Sequence, residues 1–88
     1  RKHIQETNIK LNEAIETSET KLKHLQEELK TAEDGYKIAN SRYNNFQGNL
    51  IDLRETIINL YRVKAEIIEA KINLNLYQNV RSLVNGIL

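Results

Sequence analysis

Apolar residues recur along the first half of the chain at spacings of three and four. One row is Ile15, Leu22, Leu29, Tyr36 and Tyr43. The other is Ile4, Leu11, Leu25, Ala32 and Ala39, with Ser18 as its polar exception. Such rows are the a and d positions of a heptad repeat, sustained here over about five heptads. The pattern predicts a helix over residues 2–44 whose seam faces another helix. Asn8 falls at an a position, where a polar side chain commonly fixes register at some cost in stability. At 1.5 Å rise per residue this arm would be about 65 Å long. Leucine and isoleucine dominate the first two thirds of the seam, which then becomes Ala32, Tyr36, Ala39, Tyr43. Gly35 lies beside that stretch and costs a helix about 1 kcal/mol relative to alanine. It is either a tolerated weak spot or the mark of a neighbouring helix coming close.

The periodicity is interrupted once. Asn44, Asn45, Gly48 and Asn49 form the only dense cluster of turn formers in the chain. Asn49 can cap a new helix with its side-chain oxygen. Asp52, three residues on, can return the bond as in a capping box, although Glu or Gln is the usual residue there. The chain therefore predicts an all-α antiparallel hairpin with a first helix over 2–44, a tip over 45–49 and a second helix over 50–85. The alternative is one continuous helix, which Phe46 and Gln47 do not forbid.

The second arm is apolar over a wider arc. One stripe holds Leu50, Leu53, Ile57, Leu60, Ile67 and Leu74. Beside it run Ile51, Ile58, Tyr61, Ala65, Ile68, Ile72, Leu76, Leu83 and Ile87. One partner helix covers one stripe, so the other needs a further partner, and self-association into a larger helical assembly is expected. Gly86 stands where a C-terminal cap would fall.

Composition adds mostly exclusions. Eighty-eight residues allow one small domain, and two helices alone cannot enclose a core. Charged residues make up 28% of the chain with both signs mixed, as on a long exposed helix pair. On the outer face Glu6 with Lys10, Glu19 with Lys23, and Glu33 with Lys37 have the favourable i,i+4 order. A net charge of +1 gives no reason to expect nucleic-acid binding. Without cysteine there is no disulfide and no thiolate metal site. The longest uncharged internal run, residues 72–80, is broken by Asn73, Asn75, Gln78 and Asn79, whereas a membrane span needs about 20 mostly apolar residues. No secretory signal pattern follows Arg1 and Lys2, and the chain starts within a helical pattern without an initiator methionine, so it reads as a piece of a longer protein.

Candidate chemistry is sparse. His3 and His24 are not at i,i+3 or i,i+4 spacing, so no metal site is expected, and they read as solvated surface residues. No serine has a plausible histidine and acid partner, and no Gly-rich phosphate loop is present. No catalytic residue and no cofactor is assigned. Asp52 and Glu55 are the one acidic pair of note, sharing a face in the first turn after the tip. Their simplest role is to complement the helix macrodipole.

From Arg42 onward the chain resembles the TolC-like outer-membrane efflux proteins. The resemblance rests on Arg42-Tyr43, a short tip through Gly48, the helix start Asp52-Leu53-Arg54-Glu55-Thr56, and the ending Leu83-Val84-Asn85-Gly86. Upstream, Ala32-Glu33, Tyr36 and Ala39 are similar to the family's approach to its tip. The resemblance covers residues 30–88 and rests on the order and spacing of motifs. Two departures stand out: the family's tip glycine falls at Phe46, with Gly48 two residues late, and Glu55 and Thr56 replace an aspartate and an alanine. The resemblance implies a trimeric conduit of a tripartite efflux or type I secretion system in a Gram-negative bacterium. A β-barrel would sit in the outer membrane and helical hairpins would form a periplasmic tunnel, of which this chain would be one hairpin. It further implies a periplasmic adaptor and an inner-membrane transporter as partners. The docking tip would be Asn44, Asn45, Phe46, Gln47, Gly48, Asn49, Leu50 and Leu53, and an acidic constriction would form from Asp52 and Glu55. At the tip, Phe46 either folds back onto Tyr43 or Leu50 or is presented outward. The rival readings are the hairpin of a periplasmic adaptor itself and a purely structural coiled-coil module.

Overall fold

The computed structural model describes residues 2–87, with the side chains of Lys2 and Ile4 outside the description. Two helices, α1 (Lys2–Asn44) and α2 (Leu50–Ile87), pack against each other as an antiparallel hairpin. The continuous-helix alternative is excluded. The hairpin measures 66 × 14 × 14 Å, so its length is that of one helix and its width that of two.

The seam of α1 follows the heptads. Ile15, Leu25 and Ala32 are buried, and Leu22, Leu29 and Tyr36 pack against the core from the side. Leu11, Ser18 and Ala39 are half-buried, while Tyr43, at the tip end of the seam, is exposed. Ile4 lies outside the described side chains. Asn8 is half-buried at its a position, and its Oδ1 is shielded from solvent without a hydrogen-bond partner. An unsatisfied buried acceptor costs about 1–3 kcal/mol, the kind of cost a register-fixing residue carries.

The seam of α2 differs from expectation. Leu53, Leu60 and Ile67 are buried as expected, but so are Val63 and Ala70, and Val63 is the most enclosed side chain of the hairpin at 0% exposure. Leu50 is 59% exposed rather than in the seam. The contact rows of α2 are thus 53, 60, 67, 74 and 56, 63, 70, a strict heptad. Leu50 falls in neither row. All nine residues of the adjacent stripe, from Ile51 to Ile87, are exposed.

Two further expectations are corrected. The helix of the second arm runs two residues past 85, so Gly86 lies inside its last turn, and no glycine has positive φ to lead the chain out of the helix. The pairs Glu6–Lys10, Glu19–Lys23 and Glu33–Lys37 are open. Holding two long exposed side chains together gains little in water. Instead, among the described residues, the acid–base contacts within 4 Å are Arg62 with Glu28 and Glu66, and His24 with Glu27. Arg62 donates to Glu66 on its own helix at 2.8 Å, and to Glu28 on α1 and Asn59 at 2.9 Å. The two carboxylates hold its guanidinium above its ordinary pKa, so it stays charged well into the alkaline range. With Arg81 donating to Asn12 at 3.3 Å, these contacts mark the antiparallel register.

Finally, Gly35 meets no close neighbour: a Cβ there would find nothing within 4 Å. The weak-spot reading holds within the hairpin. Gly35→Ala is expected to stabilise the fold by about 1 kcal/mol, mainly by restricting the unfolded chain. Thermal melts followed by circular dichroism check this. An unchanged or lower midpoint would indicate that something approaches Gly35 from outside the hairpin.

Candidate functional site

The tip is built by two caps back to back. At the end of α1 the Gln47 N–H donates to the Arg42 carbonyl at 2.7 Å, and the Phe46 N–H to the Tyr43 carbonyl at 3.1 Å. This pair of bonds, six-to-one outside five-to-two, is a Schellman motif with Phe46 at C′. The Gly48 N–H adds a second bond to the Arg42 carbonyl at 3.2 Å. At the start of α2 the Asn49 Oδ1 accepts from the Asp52 N–H at 2.8 Å, the expected N-cap. The reciprocal bond from Asp52 to the Asn49 N–H is not made. The Asp side chain is one methylene shorter than that of the usual Glu. Asp52 is still the acidic residue in the first turn of α2, where it complements the macrodipole.

The C′ position needs a left-handed backbone, and helices usually supply glycine there. Here Phe46 does so, with φ of 58°, the only non-glycine residue of positive φ among those described. An L-residue in this region carries about 1–2 kcal/mol of strain, and a bulky one is a true outlier. Gly48 does a different job. Its φ is not positive, but a Cβ on it would come within 3.1 Å of the Arg42 Cβ and 3.5 Å of the Tyr43 nitrogen. Gly48 lets the returning chain pass the end of α1.

Phe46 is 97% exposed and therefore does not fold back onto Tyr43 or Leu50. Leu50 and Ile51, each more than half exposed, extend an apolar patch from it along the first turn of α2. Asn44, Asn45, Gln47 and Asn49 are exposed around it and Gly48 is half-buried. Leu53 is the exception among the expected docking residues. Only 8% exposed, it is the first seam residue of α2 and is spent on the hairpin itself. Ile51 was missed as a tip residue, although its place two residues after the cap points it away from the seam.

Asp52 and Glu55 do share a face. They line one open groove between the helices, together with Thr31, Gly35 and Glu28 of α1. Glu28 brings a third carboxylate to the groove, and only the folded register could reveal it, since it lies far from the pair in sequence. Asp52 and Glu55 are both exposed. Among the described residues no group of three or more His, Cys, Asp or Glu side chains is placed to hold a metal ion, and no helix is long and apolar enough to cross a membrane.

No protein-family model, curated protein or solved structure matches the chain.

Proposed function

We propose that this chain is one periplasmic hairpin of a TolC-like outer-membrane conduit, forming tunnel wall along its length and docking an adaptor with its tip. The observation that carries the reading is the backbone of Phe46. The resemblance aligns the family's tip glycine with position 46, and position 46 is where the chain adopts the left-handed conformation that glycine adopts freely. The exposed stripe of α2 supports the same reading, because a tunnel hairpin packs against a neighbouring helix and the stripe offers an apolar face for one. In this reading the parent is a homotrimer in the outer membrane, working with a periplasmic adaptor and an inner-membrane transporter, and the hairpin has no catalytic role.

The docking surface is Phe46 with Leu50 and Ile51, rimmed by Asn44, Asn45, Gln47 and Asn49. Strain at an exposed aromatic is a cost that the hairpin does not recover from its own packing, which favours a role in contact with a partner. Each contact would be small, and the symmetry of the conduit would multiply it. Phe46→Ala in the parent protein tests this. Adaptor cross-linking and drug efflux are expected to fall while helicity and thermal stability stay unchanged. Cross-linking that survives in the folded variant would sink the docking role. β-Barrel strands encoded on either side of this segment would favour the conduit over the adaptor hairpin, which lipoyl-like domains would flank instead.

The acidic pair has a separate test. Repeated by symmetry around a pore, Asp52 and Glu55 would form a ring of carboxylates that repel one another and favour cations. Asp52→Asn with Glu55→Gln is expected to lower cation selectivity and change conductance in planar bilayers. If selectivity is unchanged, only the helix-terminus role remains.

A further inference from the structure

The outward faces of the two helices are opposite in character. On α1, directly away from the seam, stand Glu6, Glu13, Thr20, Glu27, Asp34 and Ser41, all exposed. On α2 the corresponding face carries Ile51, Ile58, Ile68, Ile72, Leu76 and Leu83, each more than half exposed. A head-to-tail row of hairpins would lay that apolar face on a row of carboxylates and hydroxyls. That would desolvate charge without pairing it, which is unfavourable. The face on this chain that matches the stripe in length and character is the stripe itself. We infer that two copies of the chain pair through the outward face of α2, related by a two-fold axis, giving a flat four-helix layer in the order α1, α2, α2, α1.

The size is sufficient. The stripe spans residues 51–87, about 54 Å of helix, and a face about 10 Å wide gives roughly 500 Å² per copy. The total of roughly 1,000 Å² reaches what a specific interface needs. Isologous contacts of this kind close on themselves, so assembly stops at two. Charge sets the direction. Residues 51–71 carry Asp52, Arg54, Glu55, Arg62, Lys64, Glu66, Glu69 and Lys71, whereas residues 72–87 carry Arg81 alone. A parallel pair would set each of these charges beside its own copy. An antiparallel pair lays the charged half of one α2 against the charge-poor half of the other, with the two-fold near Ile68. The inference does not rest on the conduit reading. The antiparallel pair points its two tips in opposite directions, so it is an assembly of the free chain and not the packing of a tunnel wall, in which the helix covering α2 must bring an apolar face of its own.

Sedimentation equilibrium on the 88-residue chain tests the proposal. A single monomer–dimer equilibrium at micromolar concentration is expected. Ile68→Glu, which sets two carboxylates face to face at the axis, is expected to weaken it by about 100-fold or more. Lys23→Glu on α1 is expected to leave it unchanged. If Ile68→Glu lowers helicity, Leu83→Ser serves as the second variant, away from the axis and from the seam. Spin labels at Ser82→Cys are expected to sit roughly 40 Å apart in the antiparallel pair, against about 10 Å in a parallel one. A stable monomer at high micromolar concentration, an open-ended series of larger species, a dimer indifferent to both α2 variants, or a short label distance would each overturn it.

Discussion

Val63→Asp is expected to unfold the hairpin. Val63 is fully enclosed between the helices, in the cluster with Leu25, Ala32, Leu60, Ile67 and Ala70. Among the described residues no buried polar or charged side chain is present to receive a carboxylate. The variant loses the transfer energy of the valine and must either bury an unpaired charge or open the seam, at a cost of about 3–5 kcal/mol. A chain of this length has roughly 4–13 kcal/mol of stability in total, and a two-helix fold belongs at the low end. Helical circular dichroism should fall by more than half at 25 °C. Ile38→Asp is the matched control on α1, where the side chain is already exposed, and should move stability by no more than about 0.5 kcal/mol. Similar losses for the two variants would mean that the seam is not where the hairpin draws its stability.

The second large effect has the opposite sign. Phe46→Gly should raise stability by about 1–2 kcal/mol, since it removes the left-handed strain and the ring makes no compensating contact in the hairpin. Glycine also loosens the unfolded chain, so the lower half of that range is the better expectation. For a domain of this size, 1 kcal/mol corresponds to about 4–8 °C in midpoint. A destabilised Phe46→Gly would show that the ring packs against the tip in solution. On the docking proposal the same variant should be more stable and yet bind its partner more weakly, a separation that a purely structural Phe46 does not allow.

The helix boundaries were legible because the chain concentrates its turn formers between two uninterrupted heptad patterns. The α1 seam was legible for the same reason, its large residues falling in two clean rows. The α2 seam was harder to read, because α2 has more apolar positions than one partner can cover. Leucine and isoleucine drew the eye to Leu50, while the contact fell on Val63 and Ala70, small residues that let the helices approach. Their spacing, seven apart and three after Leu60 and Ile67, was the available signal. The Arg62 hub was not legible, since its partner Glu28 lies 34 residues away and meets it only in the folded register. The left-handed residue was not readable from propensity either. A phenylalanine is the wrong residue for it, and nothing in the local pattern singles out position 46.

The strained tip also governs how the hairpin forms. Contacts across the seam link residues ever farther apart with distance from the turn, from 34 residues at Arg62 and Glu28 to 69 at Arg81 and Asn12. Closing the longer loop from the open chain costs only about 0.6 kcal/mol more, but once the tip is made each further contact adds almost no new loop. The two helices should therefore zip from residues 42–53 outward, with the turn in the transition state and the open end formed last. The strain at Phe46 then falls on the nucleus, where it slows folding more than it speeds unfolding. A cell making this chain meets that penalty as a delay at the first step of assembly. After that step, a fold of long, repetitive and individually weak contacts completes itself.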